Sequence, residues 1–199
     1  MTPRAPNRIR IIGGTHRGRR LAFPDAAGLR PTPDRVRETL FNWLMPHLPG
    51  ARCLDLFAGS GALGLEAVSR GARDVVLVDA NPAVVKSLQE NLHLLGETER
   101  ARVIRSDALA FLRKEADAPF DIVFLDPPYA ADLLPEAVRL LEAGGWLADP
   151  AWIYIETPVA RGQGALPPLP ANWSLQREKQ AGQVGYHLLR RVSPAPAPD

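Results

Sequence analysis

The segment Cys53-Leu54-Asp55-Leu56-Phe57-Ala58-Gly59-Ser60-Gly61-Ala62-Leu63-Gly64 predicts a strand, a tight turn and the start of a helix in direct succession. The apolar run 53–57 is short and is followed by glycines, as is typical of a buried strand. The three glycines allow a sharp turn and a close approach of a ligand to the first turn of a helix, which we expect to extend to Arg70. By itself this glycine pattern does not identify the ligand, and a nicotinamide or flavin cofactor fits it.

The same succession of strand and helix continues along the chain. The further predicted strands are 75–79, 102–105, 120–126 and 152–156, and the helices between them are 82–95, 108–115 and 133–141. Two last strands, 173–180 and 184–191, flank a turn at Ala181-Gly182 and predict an antiparallel pair. The pattern predicts an α/β fold with a mostly parallel sheet that is covered by helices on both faces and ends in an antiparallel hairpin.

Arginine is concentrated in the first 50 residues, which hold nine arginines against three acidic residues, although the net charge of the chain is only +2. Residues 8–21 alternate basic and apolar side chains around Gly13-Gly14 and predict a hairpin. A helix should follow, with Thr32 as its N-cap and Pro33 in its first turn. Arginine suits bidentate contact with phosphate, so this segment predicts a surface that binds RNA. A solvated, partly disordered basic arm is the alternative.

We expect a basic N-terminal extension over 1–50, one main domain over 51–192 and a disordered tail over 193–199, where proline and alanine alternate. The predicted RNA-binding residues are Arg10, Arg17, Arg19, Arg20, Arg30 and Arg35. With one cysteine, no long apolar run and no signal-peptide pattern, the chain is expected to be a soluble, cytoplasmic monomer without a metal site or a membrane contact.

Acidic residues recur where the predicted parallel strands end, and the carboxyl ends of parallel strands meet at one edge of a sheet. Asp79 lies 20 residues after Gly59 and suits the two hydroxyls of a ribose. Asp55 can hold an ammonium group and Asp107 can accept an adenine amine. Together with Asp126, these carboxylates repel the pyrophosphate of a dinucleotide and favour S-adenosylmethionine. The predicted cofactor-binding residues are Asp55, Phe57, Gly59, Ser60, Gly61, Asp79, Ala80, Asp107 and Ala108. Each aspartate taken singly can also be an ordinary helix cap.

The segment Phe120-Asp121-Ile122-Val123-Phe124-Leu125-Asp126-Pro127-Pro128-Tyr129 predicts a buried strand that ends in a rigid polar tip. Neither proline has a backbone N–H, so the tip presents carbonyl acceptors beside the Asp126 carboxylate. That carboxylate and the Pro127 carbonyl can accept the two hydrogens of an exocyclic amine, while the base stacks on Tyr129. We predict Asp126, Pro127, Pro128 and Tyr129 as catalytic residues. An ordinary turn with a solvent-facing aspartate is the alternative.

Together the motifs resemble the bacterial small-subunit (16S) ribosomal RNA guanine-N2 methyltransferases of the RsmD type, from about residue 8 to residue 191. The matching segments are 10–14, 17–19, 30–32, 35–44, 55–64, 126–129, 144–147 and 170–174. The resemblance implies a seven-stranded class I S-adenosylmethionine-dependent methyltransferase (Rossmann-like) fold. It also implies one guanine of 16S ribosomal RNA, met in assembling 30S particles, as the substrate. Asp79 departs mildly from the family, whose members often have Glu at this position.

Three rival functions use part of the same features. An adenine-N6 DNA methyltransferase or a glutamine-amide protein methyltransferase can use the same tip, because both substrates present an NH2 group. The DNA enzyme should carry a separate recognition domain, for which 199 residues leave little room. A non-enzymatic RNA-binding module needs the arginines but not Asp126, and would not bind S-adenosylmethionine.

Overall fold

The computed structural model describes residues 7–26, 32–128, 132–159 and 166–193. Its elements in chain order are β1 (Asn7–Arg10), β2 (Arg20–Phe23), α1 (Asp34–Leu44), β3 (Arg52–Asp55), α2 (Gly64–Ser69), β4 (Asp74–Asp79), α3 (Pro82–Leu95), β5 (Ala101–Arg105), α4 (Ala108–Leu112), β6 (Phe120–Leu125), α5 (Leu134–Ala143), β7 (Leu147–Pro158), β8 (Trp173–Ala181) and β9 (Val184–Arg191). Within these residues, no helix is both long enough and apolar enough to cross a bilayer.

Seven strands form one sheet in the order β5-β4-β3-β6-β7-β9-β8, and β1 with β2 forms a separate two-stranded sheet. The pairs β3–β4, β4–β5 and β6–β7 are parallel, whereas β7–β9 and β8–β9 are antiparallel. The strands that run in parallel are almost wholly buried, which explains their continuous apolar sequences. The predicted α/β fold with its antiparallel end is therefore confirmed.

The chain divides into two compact units, Met1–Ala108 and Leu109–Asp199. The first contains the N-terminal segment together with β3, β4 and β5, and the second contains β6 to β9. The predicted boundary at residue 50 falls inside the first unit and stays a prediction. Of the predicted tail, residues 194–199 lie outside the described part of the chain.

Several predicted element boundaries were wrong. The side chain of Thr32 does not cap α1, since Pro33 occupies the N-cap position and the helix has no side-chain cap. Thr32 is instead buried, and its carbonyl accepts a hydrogen bond of 3.2 Å from Arg37 Nε. Strand β3 ends at Asp55 rather than Phe57, because the chain already turns at Leu56. Strand β7 begins at Leu147, well before the apolar run, because Leu147 pairs with Phe120 of β6 and Ala151 pairs with Arg191 of β9.

Glu66 of α2 joins the segment between β1 and β2 to the rest of the first unit. Its Oε2 accepts a hydrogen bond from Ile12 N and its Oε1 one from Gly13 N, both at 2.8 Å. Arg70 Nε donates to Oε1 at 2.6 Å, and Arg37 Nη1 lies 3.5 Å from Oε2. The side chains of Glu66 and Arg37 are 0% and 1% exposed. Arg37, which belongs to the basic segment in sequence, therefore holds a buried ion pair rather than facing solvent.

Candidate active site

The loops that follow β3 and β4 are held together in the first unit by Asp79. Its Oδ2 accepts a hydrogen bond of 3.0 Å from Gly59 N, 20 residues earlier, and its Oδ1 accepts one of 2.8 Å from Asn81 N. The backbone carbonyl of Asp79 accepts from Ser106 N at 3.1 Å. The ends of three adjacent parallel strands are thus joined at one residue, and the predicted proximity of the glycine turn to Asp79 is confirmed.

Asp55 fixes the start of α2. The residue is 2% exposed, and its Oδ2 accepts a hydrogen bond of 2.8 Å from Gly64 N, the first helical residue. A Cβ at Gly64 would lie 2.7 Å from Leu77 Cδ2 and 3.1 Å from Asp55 Oδ2, so a larger residue would have to displace these side chains. The sequence indicated Asp55 as a ligand-binding residue but did not reveal this contact.

Backbone conformation and packing both favour glycine at position 61. Its φ is +79°, in the left-handed region that favours glycine. A Cβ at this position would lie 2.5 Å from Leu88 Cδ2 and 2.8 Å from Leu65 Cδ1. The missing side chain therefore leaves room for two leucines of the same unit. The contact of Gly61 with the cofactor stays a prediction.

The remaining predicted cofactor residues lie in the same three loops. Ser60 is buried, Phe57 is half-buried, Ala80 and Asp107 are exposed, and Ala108 begins α4. The Ser106 hydroxyl donates a hydrogen bond of 2.9 Å to the carbonyl of Asp107. The hydrogen bonds of Asp79 with Gly59 and Ser106 join these loops to one another.

In the second unit, Asp126 follows directly on the last residue of β6. Asp126 is half-buried, Pro127 is buried and Pro128 is exposed. Tyr129, the fourth predicted catalytic residue, lies outside the described residues. The buried strand thus ends in a carboxylate and a proline carbonyl, as the sequence predicts.

Tyr154 and Glu156 of β7 are additional polar residues near Asp126 that sequence reasoning missed. The Tyr154 hydroxyl donates a hydrogen bond of 2.8 Å to Glu156 Oε1. Burial raises the pKa of Tyr154 well above its ordinary value, and the negative charges of Glu156 and Asp126 raise it further. One feature of the sequence could have indicated these two residues. Polar side chains at 154 and 156 alternate with apolar ones in a predicted strand whose carboxyl end lies at the same edge of the sheet as that of β6.

The predicted RNA-binding arginines are exposed where the structure describes them. Arg10 and Arg20 are directly opposite in the pair β1–β2, and Arg17 and Arg19 lie in the segment that connects these strands. Arg10 Nη2 lies 3.0 Å from Asp34 Oδ2, which brings it towards the start of α1, where Arg35 is exposed. Arg30 lies outside the described residues. The exposed arginines therefore lie on the two strands, on their connection and in the first turn of α1.

Residues 9–190 match the protein family described as Conserved hypothetical protein 95. Ribosomal RNA small subunit methyltransferase D of Escherichia coli strain K12 is 56% identical over 183 residues, which cover 92% of this chain and 90% of that protein. The solved structure of a putative methyltransferase, yhhF from Escherichia coli, has a TM-score of 0.86 and 53% identity, covering 94% of this chain and 99% of that chain.

An RNA methyltransferase from Salinibacter ruber, solved in complex with S-adenosyl-L-homocysteine, has a TM-score of 0.62 at 15% identity, covering 85% of this chain and 98% of that chain. At this identity the likeness concerns the fold alone. These solved structures confirm that the chain has the predicted methyltransferase fold.

Proposed function

The chain belongs to the family of ribosomal RNA small subunit methyltransferase D, and we propose that it methylates the exocyclic N2 amine of one guanine in 16S ribosomal RNA with S-adenosylmethionine as methyl donor. The observation that carries this proposal is the placement of Asp126 and Pro127 directly beyond the end of the parallel strand β6. We expect the enzyme to act as a cytoplasmic monomer on small-subunit particles during their assembly.

The loops of the first unit fit S-adenosylmethionine in charge and in hydrogen bonding. Asp79 already accepts two backbone N–H groups, and an ionised carboxylate has about four acceptor sites, which leaves capacity for ribose hydroxyls. Asp55 and Asp79 are the last residues of β3 and β4, and Asp107 lies just beyond β5, so three successive strands each carry a carboxylate at this end. Such an acidic set favours a cofactor with ammonium and sulfonium charges over one with a pyrophosphate. We propose that Asp79 binds the ribose, that Asp107 accepts the adenine amine and that the charge of Asp55 attracts the ammonium.

Asp126 and Pro127 prepare the amine for reaction. The lone pair of guanine N2 is delocalised into the ring, so the amine is a poor nucleophile. Hydrogen bonds from its two hydrogens to the Asp126 carboxylate and the Pro127 carbonyl draw the lone pair out of conjugation and orient it. S-adenosylmethionine, when bound, supplies a methyl group on a positively charged sulfur. The target base must be splayed out of its stack to reach this tip.

The exposed arginines supply affinity for the RNA backbone. Arg10 and Arg20 face the same side of the β1–β2 pair, and Arg17 and Arg19 are exposed in the segment that connects these strands. Arginine contacts with phosphate are charge-assisted and bidentate, so they fix the RNA without reading its sequence. We propose that Arg35 belongs to the same surface.

Transfer of labelled methyl groups to small-subunit particles and to free ribosomal RNA, followed by nucleoside analysis, tests the proposal. N2-methylguanosine is the expected product, and N6-methyladenosine or methylated protein would contradict it. Asp126→Ala should lower the single-turnover rate about 100- to 1,000-fold and leave binding of S-adenosylmethionine unchanged. Asp117→Ala removes an exposed carboxylate of the same unit and should not change the rate. A near-wild-type rate for Asp126→Ala would show that the chemistry lies elsewhere.

A further inference from the structure

Three polar side chains share one face of β7 and β9 in the second unit. Tyr154 and Glu156 are two residues apart on β7 and therefore point to the same side. Tyr186 of β9 is directly opposite Glu156. The three residues are 0%, 3% and 4% exposed. Burying a carboxylate is costly unless it is well hydrogen-bonded, and the Tyr154 hydroxyl supplies one such bond at 2.8 Å.

This face lies next to Asp126. Strands β6 and β7 are parallel, and their last paired residues are Leu125 and Ile155. The next residues are Asp126 and Glu156, so a carboxylate follows this last pair on each chain segment, while β7 itself continues to Pro158. The rings of Phe124 and Tyr154 meet edge to face with centroids 6.4 Å apart, which places Tyr154 against β6. The charge of Asp126 also contributes to the raised pKa of Tyr154, after burial and the effect of Glu156.

Guanine and adenine differ at N1, the ring nitrogen next to the exocyclic amine. Guanine presents an N1–H donor next to its N2 amine, whereas adenine presents N1 as an acceptor next to its N6 amine. A carboxylate can accept from guanine N1–H, but it faces the lone pair of adenine N1 without a hydrogen bond. Sites that hydrogen-bond a substrate N–H reject analogues that lack it by large factors, because their buried polar groups are then left unpaired.

We propose that Glu156 is a specificity-determining residue that accepts the N1–H of the target guanine, while Asp126 and the Pro127 carbonyl accept the hydrogens of N2. The inference rests on the proposed function and adds to it the reason for the choice of guanine. A carboxylate has about four acceptor sites, so it can bind N1–H in addition to the Tyr154 hydroxyl. The hydrogen bond from Tyr154 holds the carboxylate in one orientation, which makes Tyr154 a positioning residue.

The test replaces the target guanine by 2-aminopurine, which keeps the N2 amine but has an unprotonated N1 that only accepts hydrogen bonds. After the modified position has been found by nucleoside analysis and mapping, ribosomal RNA with either base at that position is ligated and assembled into small-subunit particles. Single-turnover rates of methyl transfer are measured for the wild type and for Glu156→Gln. The wild type should prefer guanine by about 1,000-fold or more.

Glu156→Gln should reduce this preference by about tenfold or more, because the glutamine amide can donate a hydrogen bond to the unprotonated N1. A merely structural role would lower the rates with both bases by the same factor. Tyr154→Phe should reduce the preference in the same direction, by a smaller factor. Glu142→Gln is the matched control, since Glu142 binds Trp173 and Asn172 in the same unit and should leave the preference unchanged.

An unchanged preference in Glu156→Gln, in protein that binds S-adenosylmethionine like the wild type, would overturn the inference. If Glu156→Gln does not fold, an unchanged preference in Tyr154→Phe overturns it instead. Wild-type protein that forms no N2-methylguanosine on the guanine particles would refute the proposed function itself. That result is distinct from the first two, which require an active wild type.

Discussion

Replacing Glu66 by glutamine should destabilise the first unit through the loss of one buried charge. Glutamine keeps the size of the side chain but has a single carbonyl oxygen where Ile12 N, Gly13 N and Arg70 Nε now donate to two carboxylate oxygens. At least one of these donors must lose its acceptor, at about 1.5 to 3 kcal/mol for a hydrogen bond to a charged group. Arg37, whose side chain is 1% exposed, also loses one of its two acidic partners and keeps Asp34, whose Oδ1 lies 2.6 Å from Arg37 Nη2.

Removing one partner of a buried ion pair costs about 3 to 5 kcal/mol, and we expect a loss of this size in the free energy of unfolding. Urea titrations of wild type and Glu66→Gln, followed by circular dichroism, measure it as a shift of the midpoint at unchanged slope. The exposed Glu90 lies 3.9 Å from Lys86 on the surface of α3, and Glu90→Gln should change stability by less than about 0.5 kcal/mol.

The same substitution should weaken RNA binding, because Glu66 anchors the segment that carries Arg17 and Arg19. Cofactor affinity should change less than RNA affinity in protein that is folded under the assay conditions. A loss of stability below about 1 kcal/mol, with RNA affinity unchanged, would refute the reasoning that this buried carboxylate holds the basic segment in place.

Replacing Arg10, Arg17, Arg19 and Arg20 by alanine should reduce the salt dependence of RNA binding by about 0.7 to 0.9 in logarithmic slope for each phosphate that the protein no longer neutralises. Arg113→Ala should leave the slope unchanged. An unchanged slope for the fourfold variant in filter-binding titrations would favour the alternative of a solvated basic arm. In urea unfolding, Gly61→Ala should lower the free energy of unfolding more than Gly50→Ala does. The two glycines have φ of +79° and +77°, but only Gly61 has leucine atoms within 3 Å of the position that a Cβ would take. Equal losses of stability would show that backbone strain is the only cost. Burial alone raises the pKa of Glu142, but hydrogen bonds from Arg191, Trp173 and Asn172 lower it below the ordinary value of 4.5. The stability that Glu142 contributes is therefore present above about pH 4.5 and is lost as the pH falls through the lower pKa of the folded state. When the unfolding midpoint is measured as a function of pH, Glu142→Gln should show a smaller decline in acid than the wild type. An equal decline in both proteins would contradict this prediction.

The sequence predicted those parts of the fold that depend on local chemistry. Helix α3 begins and ends where predicted, because Asn81 caps its first N–H groups, Pro82 fits its first turn and Gly96 adopts the left-handed conformation that ends it. Helix α1 was predicted with a Thr32 cap that it does not have, since Pro33 occupies its N-cap position. Arg37 binds both the Thr32 carbonyl and the Arg10 carbonyl of β1, a contact between distant segments that local capping rules do not include.

By itself the sequence determined the alternation of strands and helices, the glycine turn with Asp79 and the tip that begins at Asp126. These features depend on residue types close together in the chain or on the rule that parallel strands end at a common edge. Tertiary structure alone decided that Glu66 binds Ile12 and Gly13, 54 and 53 residues earlier, and that Gly61 faces Leu88. It also decided that β6 and β7 pair as far as Leu125 and Ile155, the residues directly before Asp126 and Glu156. Burial gives a charged residue a structural role, as for Glu66, or the recognition role that we propose for Glu156. Which residues become buried depends on contacts between distant segments, which hydrophobic periodicity does not specify.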